Sequence, residues 1–151
     1  MRITARVDYA VRAALELAAA APGALTCDAI ATAQGIPLNF LENILGEMRH
    51  AGLVRSQRGA EGGFRLAKTP DQITIADVIR AVEGPLASVR GEAPEDVEYP
   101  GAAEHLQDIW IAVRASVRSV VEHVTLADLA SGNLPPEIKR LGDDPEAWIR
   151  R

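Results

Sequence analysis

The sequence predicts a mainly α-helical protein with one small β-hairpin, and three features of residues 29–66 lead to this prediction. A short helical pattern breaks at Gly35, and a second one runs from Pro37 to Gly52. A strand-like run then leads to a glycine-rich turn, 58–63, which is followed by a second short apolar run. Helix, tight turn, helix and hairpin in this order are typical of a winged helix-turn-helix. A small α+β module with a glycine-rich hairpin and no nucleic-acid role is the alternative.

The second helix of this pattern has an apolar and a polar side. Residues at helical spacing are expected to face the core, namely Phe40, Leu41, Ile44, Leu45 and Met48. The opposite side carries Asn39, Glu42, Asn43 and Glu47. Polar side chains near the N-terminus of a recognition helix are those that reach base edges. We therefore expect Asn39, Glu42 and Asn43 to read DNA.

The segments before the helix-turn-helix predict one long helix and a loop. Residues 4–21 are rich in alanine and leucine, and Thr4 is a suitable N-cap. Thr26 can cap the next helix. Cys27 then lies at a helix N-terminus, where a thiol pKa can be lowered, although a plain small apolar residue is the simpler interpretation.

The predicted wing has a tip with little bulk. Arg58 is the only basic residue in the run SQRGAEGG, and Gly59, Gly62 and Gly63 permit sharp backbone angles. Such a tip can approach phosphates or enter a groove.

The second half of the chain predicts a helix begun by Thr74 and closed by Gly84, and then a second landmark. Residues 86–101 have no periodicity and are expected to form an acidic loop. Within residues 102–124, apolar residues alternate spacings of four and three, which is a coiled-coil-like seam. The seam consists of Leu106, Trp110, Val113, Val117, Val120 and Val124. It could pack on the same chain or on a second copy.

These patterns divide the chain into four predicted segments. They are a winged helix-turn-helix at 1–85, the acidic loop at 86–101, a long-helix region at 102–131, which is a dimerisation helix region if the seam packs on a second copy, and a C-terminal tail at 132–151. Trp148 could anchor the tail.

Composition and charge bound the function. The chain has 151 residues, one cysteine and a net charge of −5. Residues 1–70 carry eight lysines and arginines against six acids, whereas residues 71–151 carry eight against fifteen. A mildly basic half joined to an acidic half is compatible with one DNA-facing surface. A cytoplasmic protein without a disulfide, membrane span or signal peptide is expected.

Enzyme chemistry is not indicated. The sequence contains no P-loop, dinucleotide fingerprint, HExxH motif or nucleophile elbow. Glu104, His105 and Asp108 could gather on one helical face, but they are a weak metal signal. We expect no catalytic residues, metal site or cofactor.

An ordered set of motifs resembles the winged-helix regulators typified by IscR and NsrR, the Rrf-two family. The set extends over nearly the whole chain. It comprises Tyr9-Ala10, Gly35-Ile36, Phe40-Leu41-Glu42, 51–54, Arg58-Gly59, Gly62-Gly63, 79–85, Trp110 and 125–129.

The resemblance implies a homodimeric repressor that binds double-stranded DNA at a palindromic operator and responds to an unknown effector. It implies phosphate contacts for Arg2 and Arg6, a minor-groove or phosphate contact for Arg58, and pairing through the seam helix. Solvated surface arginines are the alternative for Arg2 and Arg6. The predicted DNA-contacting set is Arg2, Arg6, Asn39, Phe40, Glu42, Asn43, Arg58, Gly59, Gly62 and Gly63. A protein-interaction module or a small-molecule-binding protein remains the alternative function.

The chain departs from the family pattern in one respect. Relatives that carry an iron–sulfur cluster place three cysteines after the segment that matches Gly84, but residues 86–105 contain none. Asp8 matches an acidic ligand position of some relatives, and one carboxylate cannot hold a cluster. We therefore expect no cluster.

Overall fold

A computed structural model describes residues 2–151 as a helical protein with a two-stranded antiparallel sheet. The predicted fold class is confirmed. In chain order the elements are α1 (Ala5–Ala20), α2 (Cys27–Gln34), α3 (Leu38–His50), β1 (Val54–Gln57), β2 (Gly63–Leu66), α4 (Ile75–Glu83), α5 (Leu106–Val121), α6 (Leu126–Ser131) and α7 (Pro136–Asp143).

Four threonines start helices. The hydroxyl groups of Thr4 and Thr26 accept hydrogen bonds from the first turns of α1 and α2. Thr74 and Thr125 form complete capping boxes with the aspartates three residues later, at the starts of α4 and α6. The helix starts predicted at Thr4, Thr26 and Thr74 are confirmed, and each of the four caps satisfies backbone N–H groups that would otherwise lack partners.

The two strands form the wing, and a third segment extends it. Leu25, between α1 and α2, exchanges backbone hydrogen bonds of 2.8 and 2.7 Å with Phe64 of β2. Gly63 makes this approach possible, because a Cβ there would lie 2.3 Å from the Leu25 carbonyl oxygen. The wing is thus attached to the helical body and does not project freely.

The hydrophobic core lies between α1, α3, α4 and α6. Small residues of α1 let the other helices approach closely, and Leu41, Ile44, Leu45 and Met48 of α3 are almost completely buried. Leu126 of α6 is fully buried in the same core. Residues 126–131 therefore pack with the winged helix, although they follow α5 in the chain.

Phe40 is an exception to the predicted core. The helical spacing suggested that it faces inward, but 55% of its surface is exposed. Phe40 lies at the border of the apolar stripe, where it meets Tyr9 of α1 edge to face. The expectation that Phe40 belongs to the core is wrong.

The segment between α4 and α5 is ordered by specific contacts. Leu86, Pro94 and Val97 are buried. The Gln107 side-chain amide of α5 lies 2.9–3.3 Å from the backbone carbonyl oxygens of Pro94, Glu95 and Val97. The acidic loop is therefore held against the start of α5.

Helix α5 has no buried residue, although its sequence is amphipathic. Ile109, Trp110 and Val113 expose 55%, 37% and 36% of their surfaces. Val124 behaves differently, because it lies beyond the helix end and only 5% of it is exposed. Its carbonyl oxygen accepts a hydrogen bond from the Ile75 N–H at the start of α4. The expectation that Val124 belongs to the seam is therefore wrong, and the seam of α5 ends at Val120.

The tail also differs from expectation. Trp148 is 80% exposed, and its indole N–H donates to the Gly142 carbonyl oxygen within the tail itself. It does not anchor the tail to the core. Across residues 2–151, no helix has the length and apolar character that crossing a membrane requires.

Candidate nucleic-acid interface

The turn between α2 and α3 sets the angle at which α3 leaves the body. Gly35 adopts a left-handed conformation with φ of +62°, which glycine reaches without steric cost. Ile36 is buried, and Pro37 is the N-cap of α3. The chain therefore changes direction within three residues, and the start of α3 lies at the surface.

Helix α1 fastens this turn through two polar side chains that sequence reasoning missed. Arg12 donates a 2.7 Å hydrogen bond to the Gln34 carbonyl oxygen at the end of α2, and it pairs with Asp8 at 3.0 Å. The Gln34 side chain donates to Glu16 at 2.6 Å. A helix C-terminus has carbonyl oxygens without partners, so an arginine that satisfies one of them fixes that end. The signal was an i, i+4 pair of Asp8 and Arg12 on α1, which on sequence alone suggests only a local surface pair.

The exposed side of α3 carries three of the predicted DNA-reading residues. Asn39, Glu42 and Asn43 are exposed and lie within the first two turns. Asn39 and Asn43 are one helical turn apart and therefore neighbours on the surface. The structure brings these three side chains together, and Phe40 lies at their edge.

The two predicted phosphate-binding arginines near the chain start lie in different environments. Arg2 is exposed ahead of α1. Arg6 is half-buried, donates a 3.1 Å hydrogen bond to the Val82 carbonyl oxygen of α4, and forms an ion pair with Glu47 of α3. Arg6 thus connects α1, α3 and α4, and its charge is already partly balanced.

The tip of the wing exposes Arg58, Gly59 and Glu61. Gly59 has a φ of +103° and open space around its Cα, as expected for a tip that must stay slim. Gly62 and Gly63 have another role, because their missing side chains make room for the backbone of the hairpin and of Leu25. Both are half-buried. The structure accounts for these two glycines without a DNA contact.

The wing also holds basic side chains that the sequence analysis left out. Arg55 of β1 and Arg65 of β2 are exposed and directly paired in register. Arg49, at the end of α3, lines one shallow depression together with Arg55. The signal was available, because Arg55 and Arg65 lie on either side of the turn, and a hairpin places residues equidistant from its turn opposite each other.

The surroundings of Cys27 do not favour its thiolate form. Partial burial, together with the negative charges of Glu42 and Asp28, raises its pKa above the usual value for cysteine. Thiolate chemistry near neutral pH is therefore disfavoured.

Comparison with known proteins identifies the relatives of this geometry. The family model Rrf2, described as "Iron-dependent Transcriptional regulator", matches residues 3–132. Rv1287 of Mycobacterium tuberculosis, a candidate HTH-type transcriptional regulator, is 51% identical over 148 residues, which are 97% of this chain and 92% of the relative. The HTH-type transcriptional regulator CymR of Bacillus subtilis is 39% identical over 132 residues, which are 87% of this chain and 91% of CymR.

Solved structures agree in fold. CymR, the global cysteine regulator of B. subtilis, superposes with a TM-score of 0.73 at 35% identity over 88% of this chain and 98% of that protein. IscR of T. potens superposes with a TM-score of 0.69 at 29% identity over 100% of this chain and 93% of that protein. Both are winged-helix proteins of the same architecture.

Iron, which the family description mentions, has no matching ligand set here. Cys27 is the only cysteine of the chain, and it lies within the helix-turn-helix. Among residues 2–151, no three histidine, cysteine, aspartate or glutamate side chains gather closely enough to hold a metal ion. An iron–sulfur cluster needs several thiolate or imidazole ligands. The residues present do not fit such a group.

Sequence motifs, fold and relatives agree over nearly the whole chain. The family match covers residues 3–132, and the relatives include transcriptional regulators with the same helix-turn-helix. The chain belongs to the Rrf2 (Rrf-two) family and is a DNA-binding winged helix-turn-helix transcriptional regulator.

Proposed function

We propose that this protein is a homodimeric repressor whose two α3 helices enter successive major grooves of a palindromic operator. The proposal rests chiefly on the exposed polar start of α3 and on the wing that follows this helix, whose strands carry Arg55 and Arg65, neither of them in an ion pair within residues 2–151. No catalytic step, cofactor or metal is part of it.

Pairing of two chains is supported by α5. None of its residues is buried, yet Leu106, Trp110, Val113, Val117 and Val120 form one apolar stripe. An apolar stripe of this length that stays partly exposed normally has a partner, because leaving it in water forgoes the free energy of burial. A second copy offers the same stripe, and a two-fold axis lets the two helices cover each other.

A two-fold dimer determines the form of the operator. Two recognition helices related by a two-fold axis read half-sites of opposite direction, about one helical turn or roughly 34 Å apart, or a multiple of it. Arg58 at the wing tip and Arg55 and Arg65 on its strands then lie beside the groove that α3 occupies. Arg2 would add a phosphate contact from the start of α1. Arg6 would add one only if its pair with Glu47 opens.

Repression requires no surface beyond those described. A protein that covers an operator blocks polymerase by occupancy, whereas an activator needs an additional contact with polymerase. We therefore favour repression.

The test combines three measurements on the full-length protein. Duplexes are selected from a random library, and their sequences are expected to contain an inverted repeat. Light scattering is expected to give twice the chain mass, 16.1 kDa per chain, both free and on DNA at two chains per duplex. Transcription in vitro from a promoter that contains the selected site should fall as protein is added. Selection of no sequence, or of a site bound by one chain, would overturn the proposal.

A further inference from the structure

Phe40 is a large aromatic side chain at the exposed start of the recognition helix. It exposes 55% of its surface, whereas Leu41, the next residue, is fully buried. Phe40 lies three residues before Asn43 on the same helix, so its ring is a surface neighbour of the Asn43 amide side chain.

The ring of Phe40 is held in place from behind. Its centroid lies 6.5 Å from that of Tyr9, with the two planes at 67°, which is an edge-to-face contact. The guanidinium of Arg12 lies 5.0 Å from the Tyr9 ring centroid, and Arg12 also bonds the Gln34 carbonyl oxygen at the turn. Arg12 therefore contacts both the turn and Tyr9, Tyr9 contacts one side of the Phe40 ring, and 55% of Phe40 remains exposed.

The start of α3 contains no group suited to guanine. Residues 38–48 include no lysine or arginine, the side chains that bond guanine O6 and N7. Asparagine bonds adenine N6 and N7, and an apolar side chain contacts the 5-methyl group of thymine. Both features lie on the major-groove edge of an A·T pair, so an adjacent asparagine and phenylalanine match that edge chemically.

We propose that Phe40 contacts a thymine 5-methyl group in each half-site and, together with Asn43, selects A·T pairs. This inference rests on the proposed function, because it requires α3 to enter the major groove. Tyr9 and Arg12 are positioning residues, since they act on DNA only through Phe40. A ring that is already fixed loses little side-chain freedom on binding, which favours the contact.

The experiment removes only the methyl group. Deoxyuridine replaces thymine, one symmetric pair at a time, in the duplex that the full-length protein selects. At one symmetric pair the affinity is expected to fall about fourfold per half-site, as for burial of one methyl-sized group. The Phe40→Ala variant is expected to bind the thymine and deoxyuridine duplexes equally at that pair.

Two variants separate base contact from structure. Phe40→Leu keeps an apolar side chain and is expected to bind the thymine duplex more tightly than the deoxyuridine duplex. This variant still tests the inference if Phe40→Ala misfolds. Leu38→Ala changes another apolar residue of α3, which is 39% exposed. When deoxyuridine replaces thymine, the affinity of this variant should fall by the same factor as the affinity of the parent.

Equal affinity of the parent for every deoxyuridine duplex would overturn the inference and leave the proposed function intact. An equal deoxyuridine effect in parent and Phe40→Ala would also overturn it. Failure of the parent to select any sequence would remove the proposed function, and the inference with it.

Discussion

Arg55 and Arg65 lie directly opposite each other across the two strands of the wing, and neither forms an ion pair with an acidic side chain in residues 2–151. Like charges in register across a sheet destabilise the pairing of its strands. A phosphate placed near both guanidinium groups would relieve this repulsion. The pair therefore favours an anionic partner at the face of the wing.

Replacing Arg65 with glutamine should have opposite effects on folding and on DNA binding. The free energy of unfolding should rise by a few tenths of a kcal/mol, since the repulsion is removed. The slope of log affinity against log salt should flatten by about 1.8, at roughly 0.9 for one lost phosphate contact in each of two subunits. Denaturant titration and fluorescence anisotropy at several salt concentrations measure the two effects. Arg90→Gln, an exposed arginine in the 86–101 segment, is the matched control and should leave the salt slope unchanged.

The tip of the wing should contribute separately from its strands. Arg58→Ala removes a cation that we place at the minor groove, where a narrow groove attracts arginine through its enhanced negative potential. The salt slope should again flatten by about 1.8 per dimer. Glu61 lies on the same exposed tip. Arg58→Ala should lower the affinity for DNA, whereas Glu61→Gln should raise it because a charge that repels phosphate is lost. Equal slopes and affinities for Arg58→Ala and the parent would mean that the tip does not touch DNA.

Glu42 should restrict the choice of sequence. A carboxylate on α3 can accept a hydrogen bond from a cytosine amino group and repels phosphates elsewhere. Glu42→Ala is therefore expected to bind some duplexes more tightly than the parent and to select a more degenerate sequence. Selection from the same random library, sequenced for both proteins, makes the comparison. Identical selected sequences would leave Glu42 without a role in base reading.

Sequence patterns predicted most of the fold because local chemistry determines it. Threonine caps, glycine at the left-handed turn and the apolar periodicity of α3 each act within a few residues, so they can be read in one dimension. Val124 and Phe40 were assigned wrongly because both lie at the boundary of an apolar stripe. Periodicity cannot tell which side of a boundary is covered by another element. Here Val124 is buried and its carbonyl oxygen bonds the first residue of α4, whereas Phe40 contacts Tyr9 and stays 55% exposed.

The candidate site was less accessible from sequence, because its supporting contacts join residues far apart in the chain. Arg6 meets Val82 and Glu47, and Arg12 meets Gln34. No local pattern shows that an arginine on α1 will reach a carbonyl group on another helix. The polar residues of α3 were found because family motifs and helical spacing coincide there.

Assembly should depend on the middle of α5. Val117→Asp places a charge in the apolar stripe, and burial of an unpaired carboxylate costs several kcal/mol. Monomer or unfolded chain is expected in light scattering, with loss of cooperative DNA binding. Ala115→Asp puts the same charge on the exposed, opposite side of α5, and this variant should remain a dimer. A well-folded Val117→Asp dimer with the affinity of the parent would remove α5 from the interface.

The connection between the winged helix and α5 should be sensitive to acid. Arg80 of α4 forms a hydrogen-bonded ion pair with Glu122, which lies just after α5. The hydrogen bond from Arg80, and then the positive charges of Arg80, Arg118 and His123, lower the pKa of Glu122 below its usual value. A carboxylate whose pKa is lower in the folded state stabilises the fold above the ordinary glutamate pKa of about 4.3, and this contribution is lost as the pH falls through the lower folded value. Glu122→Gln should therefore be less stable than the parent near pH 7, and the two should converge as the pH falls below about 4. Denaturant titrations at equal protomer concentration, since assembly couples to stability, measure the gap. Glu137 of α7 forms no ion pair in the described part of the chain, so Glu137→Gln should be as stable as the parent at each pH. A stability difference between Glu122→Gln and the parent that persists in acid would mean that packing, and not charge, joins α4 to the end of α5.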